Sequence, residues 1–181
     1  YQMHFVIASA IQEQFGNDYY SYCSSLIKSI SDDIERNHYE HGYQKANIIP
    51  YTLSIVEHTK KHRSSKDDAT LLWRIGDVLR DVGDFENAYA CLTNAQELFE
   101  KVCGCCSKEM ADCLNSIGAI LYSSGKEGAI CYYQKALDIY KAIYGCEHIY
   151  LAKVYNNLGL AQLDISVESA RNNFNSAFLI W

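Results

Sequence analysis

Apolar and small residues in the second half of the chain follow a helical spacing, and the pattern recurs after 41 or 42 residues. Self-similarity at such a period is typical of stacked helical hairpins. A glycine inside a helix costs roughly 1 kcal/mol relative to alanine, so a glycine that recurs there indicates a place where another helix approaches closely. The aligned positions are Gly76, Gly118 and Gly159; Ala88, Ala129 and Ala170; Ala95, Ala136 and Ala177; and Leu98, Ile139 and Ile180.

The pattern predicts three hairpins of two helices each. Gly83 and Gly125 are expected to end the first helix of their hairpins, because glycine readily adopts the left-handed conformation found there. A single hairpin cannot bury its own apolar face, whereas stacked neighbours can. We therefore expect an all-α repeat part over 66–181, preceded by an N-terminal helical segment over 1–65. The predicted helices are 69–82 and 86–102, 109–124 and 127–143, and 149–163 and 167–181.

The repeated stretches resemble a known family. Tyr155-Asn156-Asn157-Leu158-Gly159 is similar to the first-helix signature of tetratricopeptide repeats of the kinesin-light-chain type, and the stretches 125–130, 132–140 and 144–148 resemble its turn, second helix and link. The resemblance implies a right-handed superhelical stack, an α-solenoid, with an N-terminal linker or capping segment. The repeats it implies are approximately 69–104, 109–145 and 149–181, the last one truncated.

The resemblance also implies a concave groove, lined by the first helix of each hairpin, that binds a protein or peptide. An asparagine amide both donates and accepts, so it suits the backbone of an extended peptide. Trp73 would be an anchor and Arg80 would select acidic side chains. Alternatively, Asn156 is a structural residue and Trp73 belongs to the core. The groove residues that the resemblance implies are Trp73, Asp77, Arg80, Asn115, Tyr122, Asn156 and Leu160.

The opening residues 1–11 resemble the end of the winged-helix segment in signal-transducing NTPases with numerous domains, and residues 48–51 resemble a motif of the linker that follows it. This second resemblance implies an alternative function, that of a ligand-sensing or autoinhibitory arm of a larger nucleotide-dependent signalling switch. The chain contains no glycine-rich phosphate-binding loop, so the nucleotide site would lie in another part of that switch.

Charge and hydropathy narrow the range of partners. The net charge of −6 gives no basic field for nucleic acid, and the basic cluster at 60–66 is expected to be a solvated connector. No apolar run approaches the ~20 residues that a membrane-spanning helix needs, so no membrane insertion is expected.

The eight cysteines are interpreted as reduced thiols in the cytoplasm. The apolar residues 178–181 are expected to be exposed and to allow self-association.

Catalytic, metal and cofactor chemistry is not expected, so the chain is not interpreted as an enzyme. His58 and His62 have a zinc-compatible spacing, but Thr59 stands where a metalloprotease needs glutamate, and no third ligand is evident. In the group of Cys103, Cys105, Cys106 and Cys113, we expect Cys113 in the core and the other three as thiols of the turn. A metal site or a regulatory disulfide is the alternative, although adjacent Cys105 and Cys106 would strain a bridge.

Overall fold

A computed structural model describes residues 65–181, and all six regular elements in that range are α-helices. The predictions for the preceding residues, namely the helical segment, the His58–His62 pair and the second family resemblance, lie outside the described residues. The division of the chain at residue 65 also stays a prediction. The helices are α1 (Lys66–Asp81), α2 (Phe85–Cys103), α3 (Lys108–Ser123), α4 (Ala129–Tyr144), α5 (Ile149–Gln162) and α6 (Val167–Ile180).

The helix bounds follow local capping chemistry. α1 begins three residues before the predicted start because Ser65 caps it. The Ser65 hydroxyl oxygen accepts from the Asp68 backbone N–H at 3.2 Å, and the Asp68 carboxylate accepts from the Ser65 N–H at 3.1 Å, which forms a reciprocal capping box. α4 begins two residues later than predicted, because Gly128 adopts a φ of 100° and is the residue that precedes the helix.

The first two hairpins turn on glycine, as predicted. Gly83 and Gly125 have φ values of 85° and 66°. At the end of α1, Gly83 N–H donates to the Arg80 carbonyl and Asp84 N–H to the Leu79 carbonyl, each at 2.9 Å. This is the Schellman arrangement, which satisfies carbonyls that the helix leaves without partners. The same pair of bonds recurs around Gly125 at the end of α3.

The third hairpin lacks a turn glycine and closes differently. The N–H groups of Ile165 and Ser166 both donate to the Gln162 carbonyl, at 3.0 and 2.9 Å. The Ser166 hydroxyl oxygen then accepts from the Ser169 N–H at 3.3 Å and caps α6. The Asn173 side-chain amide donates to Gln162 Oε1 at 2.6 Å, so a side-chain bond ties α6 back to the end of α5.

Each hairpin is closed by one large side chain that lies on the helical glycine. A Cβ atom at Gly76, Gly118 or Gly159 would lie 2.6, 2.7 or 2.5 Å from the nearest such side-chain atom. The close approach expected at these glycines is therefore confirmed. The side chains in question belong to Leu92, Tyr133 and Phe174, which are spaced by 41 residues. The aligned alanines of the second helices are all buried.

The chain divides into two compact units, Tyr1–Leu98 and Phe99–Trp181, and the boundary falls within α2. In the first unit, α1 packs on α2 through Gly76 and Leu92. In the second unit, α3 packs on α4, α4 on α5 and α5 on α6, with a further contact between α3 and α5. The predicted all-α arrangement of stacked helical hairpins is confirmed.

Candidate functional site

In the second unit, the first helices of two successive hairpins, α3 and α5, are in contact. Asn115, Ala119 and Tyr122 follow the i, i+4, i+7 spacing of one side of α3. Asn156 and Leu160 on α5, and Leu163 at its C-terminal cap, follow the same spacing. These six residues are called the A-helix face below.

One of the two asparagines of the A-helix face, Asn115, forms a hydrogen bond within the protein. Asn115 is only 7% exposed, and its Oδ1 accepts a hydrogen bond from Asn157 Nδ2 at 3.0 Å. This bond joins α3 to α5. Asn115 therefore presents little surface to a ligand, whereas Asn156 is partly exposed. The role predicted for both asparagines in peptide binding stays a prediction.

The apolar part of the A-helix face is the more accessible one. Tyr122 is 46% exposed, Leu163 43% and Leu160 37%. Ala119, one turn from Tyr122, is partly exposed and adds no bulk. A ligand on this face would therefore meet two leucines and a tyrosine ring before it met an amide. Tyr122 and Leu160 are predicted groove residues, and both are available for contact.

The other predicted groove residues lie on α1, in the first unit. Trp73, Asp77 and Arg80 are all partly exposed and share one side of the helix. Arg80 is already paired, with Nη1 at 2.9 Å from Asp77 Oδ1 and Nη2 at 2.8 Å from Asp81 Oδ1. Two carboxylates beside one guanidinium leave this side of α1 without the cationic excess that an acidic ligand would require.

Residues 109–178 match the tetratricopeptide repeat family. This segment of the chain carries tetratricopeptide repeats. The match spans the hairpin α3–α4 and most of α5–α6. The first hairpin lies outside the match, but it has the same glycine contact as the two that follow it.

Solved structures with the same fold cover almost the whole chain. The crystal structure of BtubC (BKLC) from P. vanneervenii has a TM-score of 0.70 and 20% sequence identity, and the match covers 99% of this chain and 72% of that one. The crystal structure of MamA has a TM-score of 0.56 and 18% identity, covering 93% and 91% of the two chains. At these identities the likeness concerns the fold. No curated protein matches the chain significantly.

A polar contact that the sequence did not predict lies inside the second repeat. The Tyr140 hydroxyl donates to Asp112 Oδ1, and Lys108 Nζ lies 2.6 Å from Asp112 Oδ2. Burial of Tyr140 and its bond to the carboxylate raise its pKa. Burial of Lys108 lowers its pKa, but the hydrogen bond and charge of Asp112 outweigh that effect, and the net pKa is raised.

Aromatic rings extend this contact to the start of the third repeat. Tyr144 stacks on His148 with the ring centroids 4.3 Å apart, and Tyr140 lies 5.5 Å from Tyr150. Lys108 Nζ lies 4.7 Å from the Tyr150 ring centroid, within cation–π range. His148 Nδ1 accepts from the Tyr150 N–H at 3.3 Å and so caps α5. The cluster joins the start of α3, the end of α4 and the start of α5.

Cys113, Cys105 and Cys106 lie where the sequence placed them, whereas Cys103, expected in the turn, is the last residue of α2. Cys113 is fully buried, Cys103 is partly exposed, and Cys105 and Cys106 are exposed thiols of the turn between α2 and α3. The Sγ atoms of Cys105 and Cys106 lie 3.7 Å apart. Within residues 65–181, no three or more His, Cys, Asp or Glu side chains are grouped so that they could hold a metal ion. In the same range, no helix is both long and apolar enough to cross a bilayer.

Proposed function

We propose that this chain is a protein–protein interaction module that binds a segment of another protein on its A-helix face. The observation that carries the proposal is the exposure of Tyr122 on α3 and of Leu160 and Leu163 at the end of α5, two helices that are in contact, with the partly exposed Asn156 one turn before Leu160. Tetratricopeptide repeats generally mediate protein–protein contact, which supports the same conclusion. The chain would act by binding and not by catalysis.

The chemistry of this face favours a particular kind of segment. Its accessible surface is mostly apolar, so covering it would contribute about 25 cal/mol per Å² of apolar area removed from water. The Asn156 amide would fix the backbone of the segment by donating and accepting at once. We therefore expect an extended peptide with at least one apolar side chain, seated between Tyr122 and Leu160. The groove roles of Trp73, Asp77 and Arg80 on α1 stay predictions.

The test is capture of partners from host-cell lysate by the 181-residue chain, quantified by mass spectrometry. Tyr122→Ser combined with Leu160→Ser removes the apolar contacts. The matched control is Val102→Ser combined with Ile143→Ser, since these residues are 44% and 40% exposed and lie outside the A-helix face. We expect a partner that the wild type and the control retain, and that the face variant loses. Equal capture by both variants would place recognition on another surface.

Self-association is a second contact we propose, through the end of α6. Phe178, Leu179 and Trp181 are 78%, 84% and 72% exposed. The equivalent residues one repeat earlier include Leu137 and Tyr140, which are 2% and 3% exposed on α4, the helix that α5 covers. The same face of α6 would therefore bury apolar surface against a second copy of the chain.

We place the protein in the cytoplasm. The exposed thiols of Cys105 and Cys106 support this location, because exposed cysteines stay reduced in reducing compartments. The alternative of a sensing or autoinhibitory arm depends on residues 1–11 and 48–51, which lie outside the described residues, and it stays a prediction.

A further inference from the structure

The turn between α2 and α3 presents two exposed thiols side by side. Cys105 and Cys106 follow Gly104, whose φ of 76° turns the chain out of α2, and they precede Ser107, whose hydroxyl caps α3 by accepting from the Met110 N–H. Both side chains face solvent, and their sulfur atoms lie 3.7 Å apart. Neither the hydrophobic core nor the A-helix face uses these two side chains.

Adjacent cysteines are poorly placed to form a disulfide with each other. Neighbouring Cα atoms across a trans peptide are about 3.8 Å apart, whereas disulfides usually join Cα atoms about 4.4–6.8 Å apart. Direct oxidation would therefore distort the turn. A single atom that bonds to both sulfurs would avoid this distortion, because the sulfurs would bridge through it and could stay about as far apart as they already are.

We propose that Cys105 and Cys106 form a bidentate dithiol site for thiophilic trivalent arsenic compounds. The reaction is a condensation without any change of oxidation state. With an organic arsenoxide, two As–S bonds form and both S–H bonds break. The two protons leave with the arsenoxide oxygen as one molecule of water. After the first As–S bond has formed, the second sulfur reacts intramolecularly at a high effective concentration. The pair therefore retains the arsenic compound more strongly than an isolated thiol does.

The electrostatics of the pair agree with this chemistry. The hydrogen bond and the charge of the neighbouring Cys105 raise the pKa of the Cys106 thiol. Cys106 therefore has less of the thiolate form that simple alkylating reagents need. The condensation consumes thiols and releases their protons as water, so the raised pKa does not prevent it. Cys131 and Cys146 are exposed thiols elsewhere in the chain and provide single-thiol comparisons.

The experiment is intact mass spectrometry of the 181-residue chain treated with phenylarsine oxide in the presence of excess glutathione. Wild type is expected to retain one phenylarsine, which adds the mass of the reagent less one water and is removed by a small 1,2-dithiol. Cys105→Ser and Cys106→Ser are each expected to weaken retention by roughly 10²-fold, because the intramolecular second bond is lost. Cys103→Ser, and Cys131→Ser combined with Cys146→Ser, are expected to retain the adduct.

Circular dichroism of each variant confirms that it remains helical, as expected for substitutions at exposed turn positions. Retention by Cys105→Ser or Cys106→Ser would overturn the proposal, and so would loss of the adduct in Cys103→Ser. Failure of the folded wild type to retain any phenylarsine against glutathione would overturn it as well. Because Cys105 and Cys106 lie outside the A-helix face, the outcome is independent of the partner-binding proposal.

Discussion

The Asn157 side-chain amide donates to Asn115 Oδ1 at 3.0 Å, and this bond joins the first helices of two successive repeats. Asn115 is 7% exposed, so its carbonyl oxygen has little access to water when the bond is absent. A polar pair at this position fixes how α5 sits on α3, because a displacement of either helix would break the bond. The pair thus sets the relative position of the two halves of the A-helix face.

Asn157→Ala is expected to lower the free energy of unfolding by about 1–3 kcal/mol, since it leaves a nearly buried acceptor without its partner. Urea denaturation followed by circular dichroism measures this change. Asn156→Ala, one residue away and partly exposed, is the matched control, with an expected change within about 0.5 kcal/mol. Equal losses in the two variants would mean that the Asn115–Asn157 bond contributes nothing of its own.

Gly118→Ala is expected to destabilise the chain by about 1–3 kcal/mol, the usual cost of overpacking, although alanine is the better helix former. The added methyl would lie 2.7 Å from Tyr133 Cδ1. The cost of Gly118→Ala should shrink when Tyr133→Leu has already removed the ring, and a double-mutant cycle in urea measures that coupling. Additive losses would show that the ring and the glycine do not constrain each other.

Tyr140→Phe is expected to cost about 1.5–3 kcal/mol at neutral pH, because the hydroxyl donates to the Asp112 carboxylate. Its pH dependence has a definite sign. The pKa values of Tyr140 and Lys108 are raised in the folded chain, so the unfolded chain releases these protons first as the pH rises. The stabilisation that these two groups contribute is complete at pH values below their ordinary pKa values, which are about 10. It is lost as the pH rises above those values.

Urea midpoints at about pH 8 and about pH 11, on either side of the ordinary tyrosine pKa, check this alkaline loss. The wild-type midpoint should decrease from about pH 8 to about pH 11, and the decrease should be smaller in Tyr140→Phe, which keeps the raised pKa of Lys108 but loses that of Tyr140. Tyr122→Phe changes a tyrosine that is 46% exposed and should keep the wild-type profile. If the urea midpoint of Tyr140→Phe decreased as much as that of the wild type, other groups would be responsible for the loss of stability at alkaline pH.

Phe178→Lys combined with Trp181→Lys is expected to weaken self-association at least about tenfold, since it places charges on the apolar end of α6. Sedimentation equilibrium over a range of chain concentrations measures the dissociation constant. Ile143→Lys, at a residue that is 40% exposed on α4, is the control for added charge alone. A wild-type chain that stays monomeric throughout, or a dimer that the double variant leaves intact, contradicts the proposal.

The sequence predicted the helices well because their determinants are local. The recurring glycines and the helical spacing of apolar residues fixed the six elements to within three residues at each end. The remaining differences came from capping, since Ser65 starts α1 early and Gly128 delays α4. These boundary residues depend on side-chain bonds and positive φ values, which periodicity does not report.

The contacts between helices were only partly predictable. The sequence marked the glycines but not the side chains that lie on them, although the 41-residue spacing of Leu92, Tyr133 and Phe174 was available as a signal. The bond between Asn115 and Asn157 and the cluster around Asp112 join residues that are distant in sequence. The i, i+4 pairs Lys108–Asp112 and Tyr140–Tyr144 are visible in the sequence, but only the packing of α3 on α4 brings them together.

The contact between each helical glycine and its large partner also bears on how the chain can be recombined. Gly118 and Tyr133 belong to one hairpin, and so do Gly159 and Phe174. An exchange at the link near Gly145 would transfer an intact glycine–ring pair into a related protein. A crossover between Gly118 and Tyr133 would keep the glycine of one protein but take the side chain that lies on it from the other protein, and the two would not be matched in size. Whole hairpins, and not single helices, are therefore the interchangeable parts for grafting and shuffling.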